Sequence, residues 1–258
     1  RLLFLHTGGT LGMVPVGKDG ALVPDHFARS VQPYVRGVES IADIESRSVC
    51  NIDSSDMSPE RWVTIGQIIA DSVSDYDGFV VLHGTDTMSF TACALSFMLR
   101  DLPRPVILTG SQRPLSELRT DARINLVHST LCATMEIPEV GLYFGSRLFR
   151  GNRTTKVSLQ SYHAFASPNF PPLLEMGVDV EHRAEFLRPR GAFRFRPGFS
   201  EDVAVLSLFP GVAPSQLSWM VDQGARVVVL RTFGDGNLPR KDWPDAVEQA
   251  TAKGIHVI

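Results

Sequence analysis

Four residues in the sequence carry the side-chain chemistry of a hydroxyl group and an amine able to activate it. Thr10 follows a glycine pair at the end of a short apolar run, and Thr85 and Asp86 follow a second such run. Lys156 is one of only four lysines, against 21 arginines. Lysine, unlike arginine, can lose its proton to activate a hydroxyl. Each residue alone also fits an ordinary turn, a helix cap or a solvated loop.

A third polar group, Asp53-Ser54-Ser55-Asp56, stands before a helix whose start is marked by Ser58-Pro59. One cluster of small polar residues is as easily a helix cap as a site. Three such clusters are harder to explain by capping alone, so we interpret them together as a candidate site.

No metal or nucleotide motif accompanies these residues. The seven histidines show no paired spacing suited to a metal ion or to a Ser–His–Asp relay, so His6 and His83 are expected to be hydrogen-bonded structural groups. Gly8, Gly9 and Gly12 do not form a dinucleotide-binding fingerprint, and no phosphate-binding P-loop motif occurs. We therefore expect neither a cofactor nor a metal.

Length and charge limit the class of protein. The 258 residues are 43% hydrophobic and carry a net charge of −3, which gives no electrostatic reason to bind nucleic acid or an anionic membrane. No apolar run approaches the ~20 residues that span a bilayer. Cys50, Cys93 and Cys132 are widely spaced, which indicates a reducing compartment.

Two alternating patterns predict an α/β fold with a mostly parallel sheet. Apolar runs ending in polar turns predict strands at Leu2–Leu5, Phe79–Leu82, Val106–Leu108, Val140–Phe144, Val203–Leu208 and Val227–Leu230. Helical spacing predicts helices at Pro59–Ser72, Ser89–Arg100, Arg119–Glu136 and Pro214–Gln223. Ligands of such folds bind beyond the carboxyl ends of the strands, where the polar clusters should meet.

A change in composition predicts two domains. A charged, weakly periodic stretch indicates a linker at residues 181–201, between a first domain of residues 1–180 and a second of residues 202–258. The second domain is expected to be incomplete, because the sequence ends on what reads as the start of a strand.

Six segments, in order, resemble the bacterial-type L-asparaginase family. They are LHTGGT (5–10), DSSDM (53–57), HGTDTM (83–88), LTGSQ (108–112), RGNRTTK (150–156) and ASPN (166–169), and the last two are similar to the cytoplasmic type. The resemblance implies a two-domain asparaginase-like fold, with a larger N-terminal sheet flanked by helices and a smaller C-terminal domain. It also implies L-asparagine as substrate, no cofactor, a cytoplasmic location and a homodimer or homotetramer.

The resemblance implies catalytic roles position by position. Thr10 would attack the side-chain amide and form an aspartyl ester, and Thr85 would be the second catalytic threonine. Lys156 would deprotonate or polarise Thr85, while Asp86 holds the lysine. Such an arrangement is a variant of the nucleophile, base and orienting group found in other acyl-transfer enzymes.

Further roles implied by the resemblance concern binding. Ser54 and Ser55 would hold the substrate α-carboxylate, with Asp53 in the same loop. Thr85 also belongs to the implied binding set, as does Asp86, which would pair with the α-ammonium group.

Other implied roles extend beyond one subunit. Asn237 would contribute to the site of a partner subunit. Thr155 and Arg231 match positions of a second, regulatory asparagine site, although an ion pair at an interface is the favoured interpretation of Arg231.

One departure from the family pattern and two alternative functions remain. The family commonly places a tyrosine shortly after the TGGT hinge, whereas this chain reads GALVP at 20–24 and has no tyrosine before Tyr34. A catalytically inactive amino-acid-binding relative is therefore one alternative. The other is the glutamine-hydrolysing, asparaginase-like subunit of a tRNA-dependent amidotransferase.

Overall fold

The apolar segments that precede the polar motifs form strands in a computed structural model that describes residues 1–16, 21–24 and 36–258. The strands are β1 (Leu2–Gly8), β2 (Met13–Val16), β3 (Ala21–Pro24), β4 (Ile44–Ile52), β5 (Gly78–Leu82), β6 (Leu99–Arg100), β7 (Val106–Thr109), β8 (Val140–Phe144), β9 (Arg147–Arg150), β10 (Thr155–Lys156), β11 (Phe165–Ala166), β12 (Leu174–Met176), β13 (Val180–His182), β14 (Arg194–Phe195), β15 (Val203–Ser207), β16 (Val227–Arg231) and β17 (His256–Val257). The helices are α1 (Pro59–Ser72), α2 (Met88–Met98), α3 (Ala122–Ala133), α4 (Ser215–Asp222) and α5 (Trp243–Ala252).

Eight of these strands build one mixed sheet in the order β13-β12-β9-β8-β7-β5-β1-β4. The five strands from β8 to β4 pair in parallel, and β9, β12 and β13 extend the sheet in antiparallel pairs. The predicted fold class, a mostly parallel sheet in a larger first domain, is confirmed.

Helices cover both faces of this sheet, which explains why its central strands are apolar throughout. In β1, Leu3 and Leu5 pack on the face that carries α1 and α2, whereas Leu2 and Phe4 pack on the face that carries α3. Successive side chains of a strand point to opposite faces, so a strand buried on both sides needs apolar residues at every position.

The order of the strands creates a crevice between β1 and β5. From β1 the chain continues to β4 on one side, and from β5 it continues to β7 on the other side. Connections that leave neighbouring parallel strands in opposite directions open a binding crevice at the carboxyl ends of those strands. Thr10 and Thr85 both follow at this point.

The chain divides into two units at Gly198/Phe199. The first unit therefore includes most of the predicted linker, residues 181–201. Within that stretch β14 pairs with β6, and β13, which overlaps its start, pairs with β12. Backbone pairing of this kind, rather than composition, assigns the segment to the first unit.

The second unit is a small α/β layer with its own core. Its parallel strands stand in the order β15-β16-β17, and α4 and α5 supply Leu217 and Trp243 to a buried cluster beside Val228. Among the helices of the described residues, none is long and apolar enough to cross a membrane.

Candidate active site

Two glycines bring three loops of the first unit together. A Cβ atom on Gly9 would lie 2.5 Å from the Cα of Gly84, and one on Gly84 would lie 2.6 Å from Oγ of Ser54. Only glycine permits so close an approach of one backbone to another. The turn that carries Thr10 therefore lies directly against the turn that carries Thr85.

The predicted trio of Thr85, Asp86 and Lys156 is joined by short hydrogen bonds. Lys156 Nζ lies 2.8 Å from Oγ1 of Thr85 and 2.6 Å from Oδ1 of Asp86. The Lys156 side chain is 13% exposed, whereas that of Asp86 is 60% exposed. Asp86 can therefore hold the lysine and still accept a second cation from solvent.

A hairpin packed on the first unit's core carries Lys156 to this position. Lys156 pairs with Phe165 in the β10–β11 hairpin, and the Phe165 ring packs 5.0 Å from that of Phe144. Just before the hairpin, Gly151 lies so close to α2 that a Cβ atom would be 2.8 Å from Oγ of Ser96. The lysine, 71 residues from Thr85 in sequence, is thus fixed by packing on both sides.

Gln112, to which no role was assigned from the sequence, contacts Thr85. Thr85 Oγ1 lies 3.3 Å from Oε1 of Gln112, while Gln112 Nε2 donates to the carbonyl oxygens of Leu159 and Ser161 over 3.0 and 3.2 Å. Two carbonyl acceptors require the amide nitrogen, so the amide oxygen faces Thr85. The position of Gln112 in LTGSQ, just past the neighbouring strand β7, was the available signal.

The proton of the Thr85 hydroxyl follows from this arrangement. An amide oxygen can only accept, so Thr85 donates its one proton to Gln112. The same hydroxyl then accepts from Lys156, which is the donor in their 2.8 Å contact. The structure therefore shows a state in which the hydroxyl proton points away from the lysine.

Buried Asp121 fixes the loop that carries Gln112. Its carboxylate accepts the backbone N–H groups of Gln112 and Arg113 and the side-chain amide of Asn125, over 3.0 to 3.1 Å. Burial raises the pKa of Asp121 above its usual value, and these hydrogen bonds oppose the rise. The loop that positions the Gln112 amide is thus held by the Asp121 carboxylate, which also accepts a hydrogen bond from Asn125.

The serine loop is divided between a buried and an exposed part. Ser54 is buried, and its Oγ accepts from the backbone N–H of Asp86 over 3.3 Å. Ser55 is exposed, and both its N–H and its hydroxyl donate to Oδ1 of Asp53 over 2.8 Å. These two bonds lower the pKa of Asp53. Ser54 thus joins its loop to the Thr85 turn, while Ser55 and Asp53 face solvent.

The remaining predicted residues lie outside this cluster of contacts. Thr10 is half-buried in a single 3-10 turn after β1. Thr155 is exposed on β10, next to Lys156, whereas Arg231, at the end of β16, and Asn237, bridged to Phe233, are exposed in the second unit.

The segment in which the family commonly carries its hinge tyrosine lies partly outside the described ranges, which exclude residues 17–20 and 25–35 and hence Tyr34. In the part of the chain that the structure describes, no group of three or more His, Cys, Asp or Glu side chains is placed to hold a metal ion. The groups in contact at the described site are a hydroxyl, an amine, a carboxylate and an amide.

Comparison with known proteins places these residues in context. Residues 1–188 match the family described as "Asparaginase, N-terminal", and residues 202–258 match "Glutaminase/Asparaginase C-terminal domain". L-asparaginase 1 of Escherichia coli (strain K12) is 40% identical over 98% of this chain and 77% of that protein.

A solved structure and a further relative extend the comparison. The crystal structure of L-asparaginase I from Vibrio cholerae O1 biovar eltor str. N16961 has a TM-score of 0.87 and 36% identity, over 99% of this chain and 79% of that one. A subunit of the glutamyl-tRNA(Gln) amidotransferase of Thermococcus kodakarensis is 35% identical, over 98% of this chain and 60% of that protein.

Proposed function

Because the chain belongs to the asparaginase family, we propose that it hydrolyses L-asparagine to L-aspartate and ammonia, without a cofactor or a metal. The observation that carries the proposal is the pair of contacts from Lys156 Nζ, 2.8 Å to Thr85 and 2.6 Å to Asp86. A hydroxyl, an amine and a carboxylate in direct contact are the parts that activate a nucleophile.

The reaction has two steps. In the first, the Thr10 hydroxyl attacks the side-chain amide carbon, the C–N bond breaks, and ammonia leaves with the proton from the hydroxyl. In the second, water attacks the resulting aspartyl ester, and the threonine hydroxyl is restored as aspartate leaves. Backbone N–H groups of the glycine turns hold the oxyanion that forms in each step.

Thr85, Lys156 and Asp86 move the protons in this scheme. The Thr85 proton points to Gln112 in the structure, so it must turn toward Lys156 before the lysine can accept it, and the lysine must then be neutral. Asp86 orients the amine and stabilises its protonated form after transfer. General-base catalysis of this kind contributes roughly 10²–10⁴-fold to the rate.

Substrate binding uses the charged and polar groups at the mouth of the crevice. The exposed carboxylate of Asp86 accepts the α-ammonium group, and Ser54 and Ser55 hold the α-carboxylate, with Asp53 shaping the same loop and Thr85 completing the contacts. Ser54 Oγ already accepts from Asp86 N–H, so its hydroxyl proton is free to be donated to a substrate oxygen.

Ammonia release from the purified protein tests this proposal, with L-asparagine, D-asparagine and L-glutamine compared side by side. L-Asparagine should be the best substrate. Preference for glutamine favours the amidotransferase-type activity, which the amidotransferase relative supports. Binding of asparagine by calorimetry without ammonia release identifies an inactive amino-acid-binding relative.

Variants assign the roles of the two threonines. Thr10→Ala and Thr85→Val should each reduce turnover by several orders of magnitude in a folded protein. Thr64→Val is a matched control, because Thr64 is exposed on helix α1 and its hydroxyl donates to the carbonyl of Glu60 in the same helix. Near-normal turnover in either site variant contradicts the proposed chemistry.

The location and the assembly are also proposals. We place the protein in the cytoplasm, and the unpaired state of Cys50, Cys93 and Cys132 supports a reducing compartment. A homodimer or homotetramer, in which Asn237 contributes to the partner's site, follows the family resemblance. Light scattering measures the assembly, and an active monomer would contradict it.

Regulation by a second asparagine involves Thr155 and Arg231 in this proposal. An exposed arginine at a strand end can clamp an α-carboxylate through two parallel hydrogen bonds. The rate should then depend sigmoidally on asparagine, and Arg231→Ala should make the curve hyperbolic without abolishing turnover. A hyperbolic wild-type curve would leave Arg231 a structural role.

A further inference from the structure

A buried chain of hydrogen bonds runs from helix α1 to the peptide bond that precedes Thr85. The indole Nε1 of Trp62 donates to Oγ1 of Thr91 over 2.9 Å, and Thr91 Oγ1 lies 2.8 Å from Nε2 of His83. On the other side of the ring, His83 Nδ1 lies 2.7 Å from the carbonyl oxygen of Gly84. Thr91 and His83 are both buried, so water does not compete for these bonds.

The two end groups of this series of hydrogen bonds, the Trp62 indole and the Gly84 carbonyl, determine the direction of every hydrogen bond in it. The Gly84 carbonyl oxygen can only accept, so His83 Nδ1 carries the proton in their contact. Burial lowers the pKa of His83 to about 4, so the ring is neutral near pH 7 and Nε2 is bare. Thr91 therefore donates to Nε2, and its oxygen accepts from Trp62, whose indole can only donate.

The hydrogen bond from His83 Nδ1 to the Gly84 carbonyl oxygen determines the orientation of the backbone, because Gly84 is a glycine. Gly84 has no Cβ, so steric hindrance alone does not select one orientation of the peptide plane between Gly84 and Thr85. The peptide bonds of the described residues are all trans, so the Gly84 C=O and the Thr85 N–H point in opposite directions. The hydrogen bond that holds the carbonyl toward His83 therefore also directs the Thr85 N–H away from the ring.

We infer that His83 is a positioning residue for the proposed hydrolysis, held as its Nδ1-protonated tautomer by Thr91. The inference rests on the proposed function, in which Thr85 is a catalytic threonine. With the opposite tautomer, the Nδ1 lone pair would face the carbonyl oxygen at 2.7 Å, and the repulsion would turn the peptide. A turn there displaces Thr85 from its 2.8 Å contact with Lys156.

Nitrogen NMR of the ¹⁵N-histidine-labelled wild-type protein tests the tautomer without any mutation, because protonated and bare ring nitrogens differ widely in chemical shift. His83→Phe identifies the His83 signals by their loss. We expect a proton on Nδ1 and a bare Nε2 at pH 7. A proton on Nε2 would overturn the inference.

Kinetics of Thr91 variants test the effect on catalysis. Thr91→Val removes the hydroxyl that donates to Nε2 while nearly keeping the side-chain volume, and it should lower kcat about tenfold while the KM for asparagine changes less than about twofold. Thr91→Ser retains the hydroxyl and should restore kcat to within about twofold of wild type. In Thr91→Val the His83 spectrum should show both tautomers.

Thr130→Val is the matched control for loss of a buried threonine hydroxyl. Thr130 is also fully buried in a helix, but its hydroxyl donates to the carbonyl of Leu126. Equal losses of kcat in the Thr91 and Thr130 variants would refute the positioning role. A wild-type protein that releases no ammonia would refute the proposed function and, with it, the catalytic part of this inference, whereas the spectrum would still decide the hydrogen-bond chain.

Discussion

Replacing Gly9 by alanine should disable the site by pushing two backbone turns apart. Gly9 has φ +91°, and an added Cβ would lie 2.5 Å from the Cα of Gly84. Carbon atoms pack at about 3.5–4.0 Å, so the two turns must separate by about 1 Å. Gly84 has little room to move, because it is also packed against Ser54, whose Oγ would lie 2.6 Å from a Cβ atom on Gly84.

The expected loss can be derived from the contact that the separation breaks. The Thr85–Lys156 hydrogen bond is 2.8 Å long, and lengthening it by about 1 Å takes it beyond hydrogen-bonding range. A misplacement of this size costs on the order of 10²-fold in rate, or about 2.7 kcal/mol of transition-state stabilisation. The alanine also adds backbone strain of about 1–2 kcal/mol at positive φ.

Gly224→Ala distinguishes the effect of backbone strain from the effect of the steric contact with Gly84. Gly224 has φ +98° but no atom within 4 Å of an added Cβ, so this variant carries a similar strain without displacing the site. Ammonia release and urea unfolding should be measured for both variants. Gly9→Ala should lose about 10²-fold in kcat/KM, and Gly224→Ala less than about twofold. Equal activity in the two variants would refute the reasoning from backbone contact.

Three further changes have defined outcomes. Lys156→Met should lower kcat by several orders of magnitude, with part of the activity returning at high pH as hydroxide replaces the base. An unchanged rate and pH profile would show that Lys156 is an ordinary solvated loop residue. Glu139→Ala should lower the melting temperature of the first unit by roughly 10 °C, because it removes the carboxylate 2.6 Å from the largely buried guanidinium of Arg150. A shift under about 2 °C would contradict this. Burial lowers the pKa of His83 to about 4, so between pH 6.5 and 4 the unfolded chain binds a proton at this residue that the folded chain does not, and His83 should lower the free energy of unfolding by at most about 3 kcal/mol as the pH falls through that window; chemical denaturation of wild type and His83→Asn should show a smaller fall in the variant.

The boundaries of an element could be predicted from sequence where local signals determine them. Helix α1 runs from Pro59 to Ser72 as predicted, because a proline at the first helical position and regular apolar spacing are local signals. The predicted end of α2 was wrong by two residues, because Leu99–Arg100 leave the helix to pair with Arg194–Phe195. No local signal reports a partner almost a hundred residues away.

Edge position explains the principal strand that was not predicted. Strand β4, Ile44–Ile52, is the outermost strand beside β1 and exposes Ser46, Arg47 and Ser48. An edge strand with polar residues on it lacks the continuous apolar run that identified the central strands. Apolar runs therefore do not predict strands of this type.

The candidate site was predictable in composition but not in geometry. The polar clusters after β1 and β5 identified Thr10, Thr85 and Asp86, because strand ends meet at a switch in strand order. The direction of the Thr85 proton was not predictable, since it depends on how Gln112 is held by carbonyl groups of another loop. Hydrogen-bond direction is a property of the assembled site.

Lys156 follows Thr85 by 71 positions, so these two parts of the candidate site are synthesised well apart in time. Strands β1, β4, β5 and β7 all end by Thr109, so they can begin to pair before the β10–β11 hairpin has been synthesised. On the ribosome, a nascent chain would therefore display Thr10 and Thr85 well before Lys156 exists, and the chemistry proposed for these residues can begin only once the lysine has been synthesised and docked.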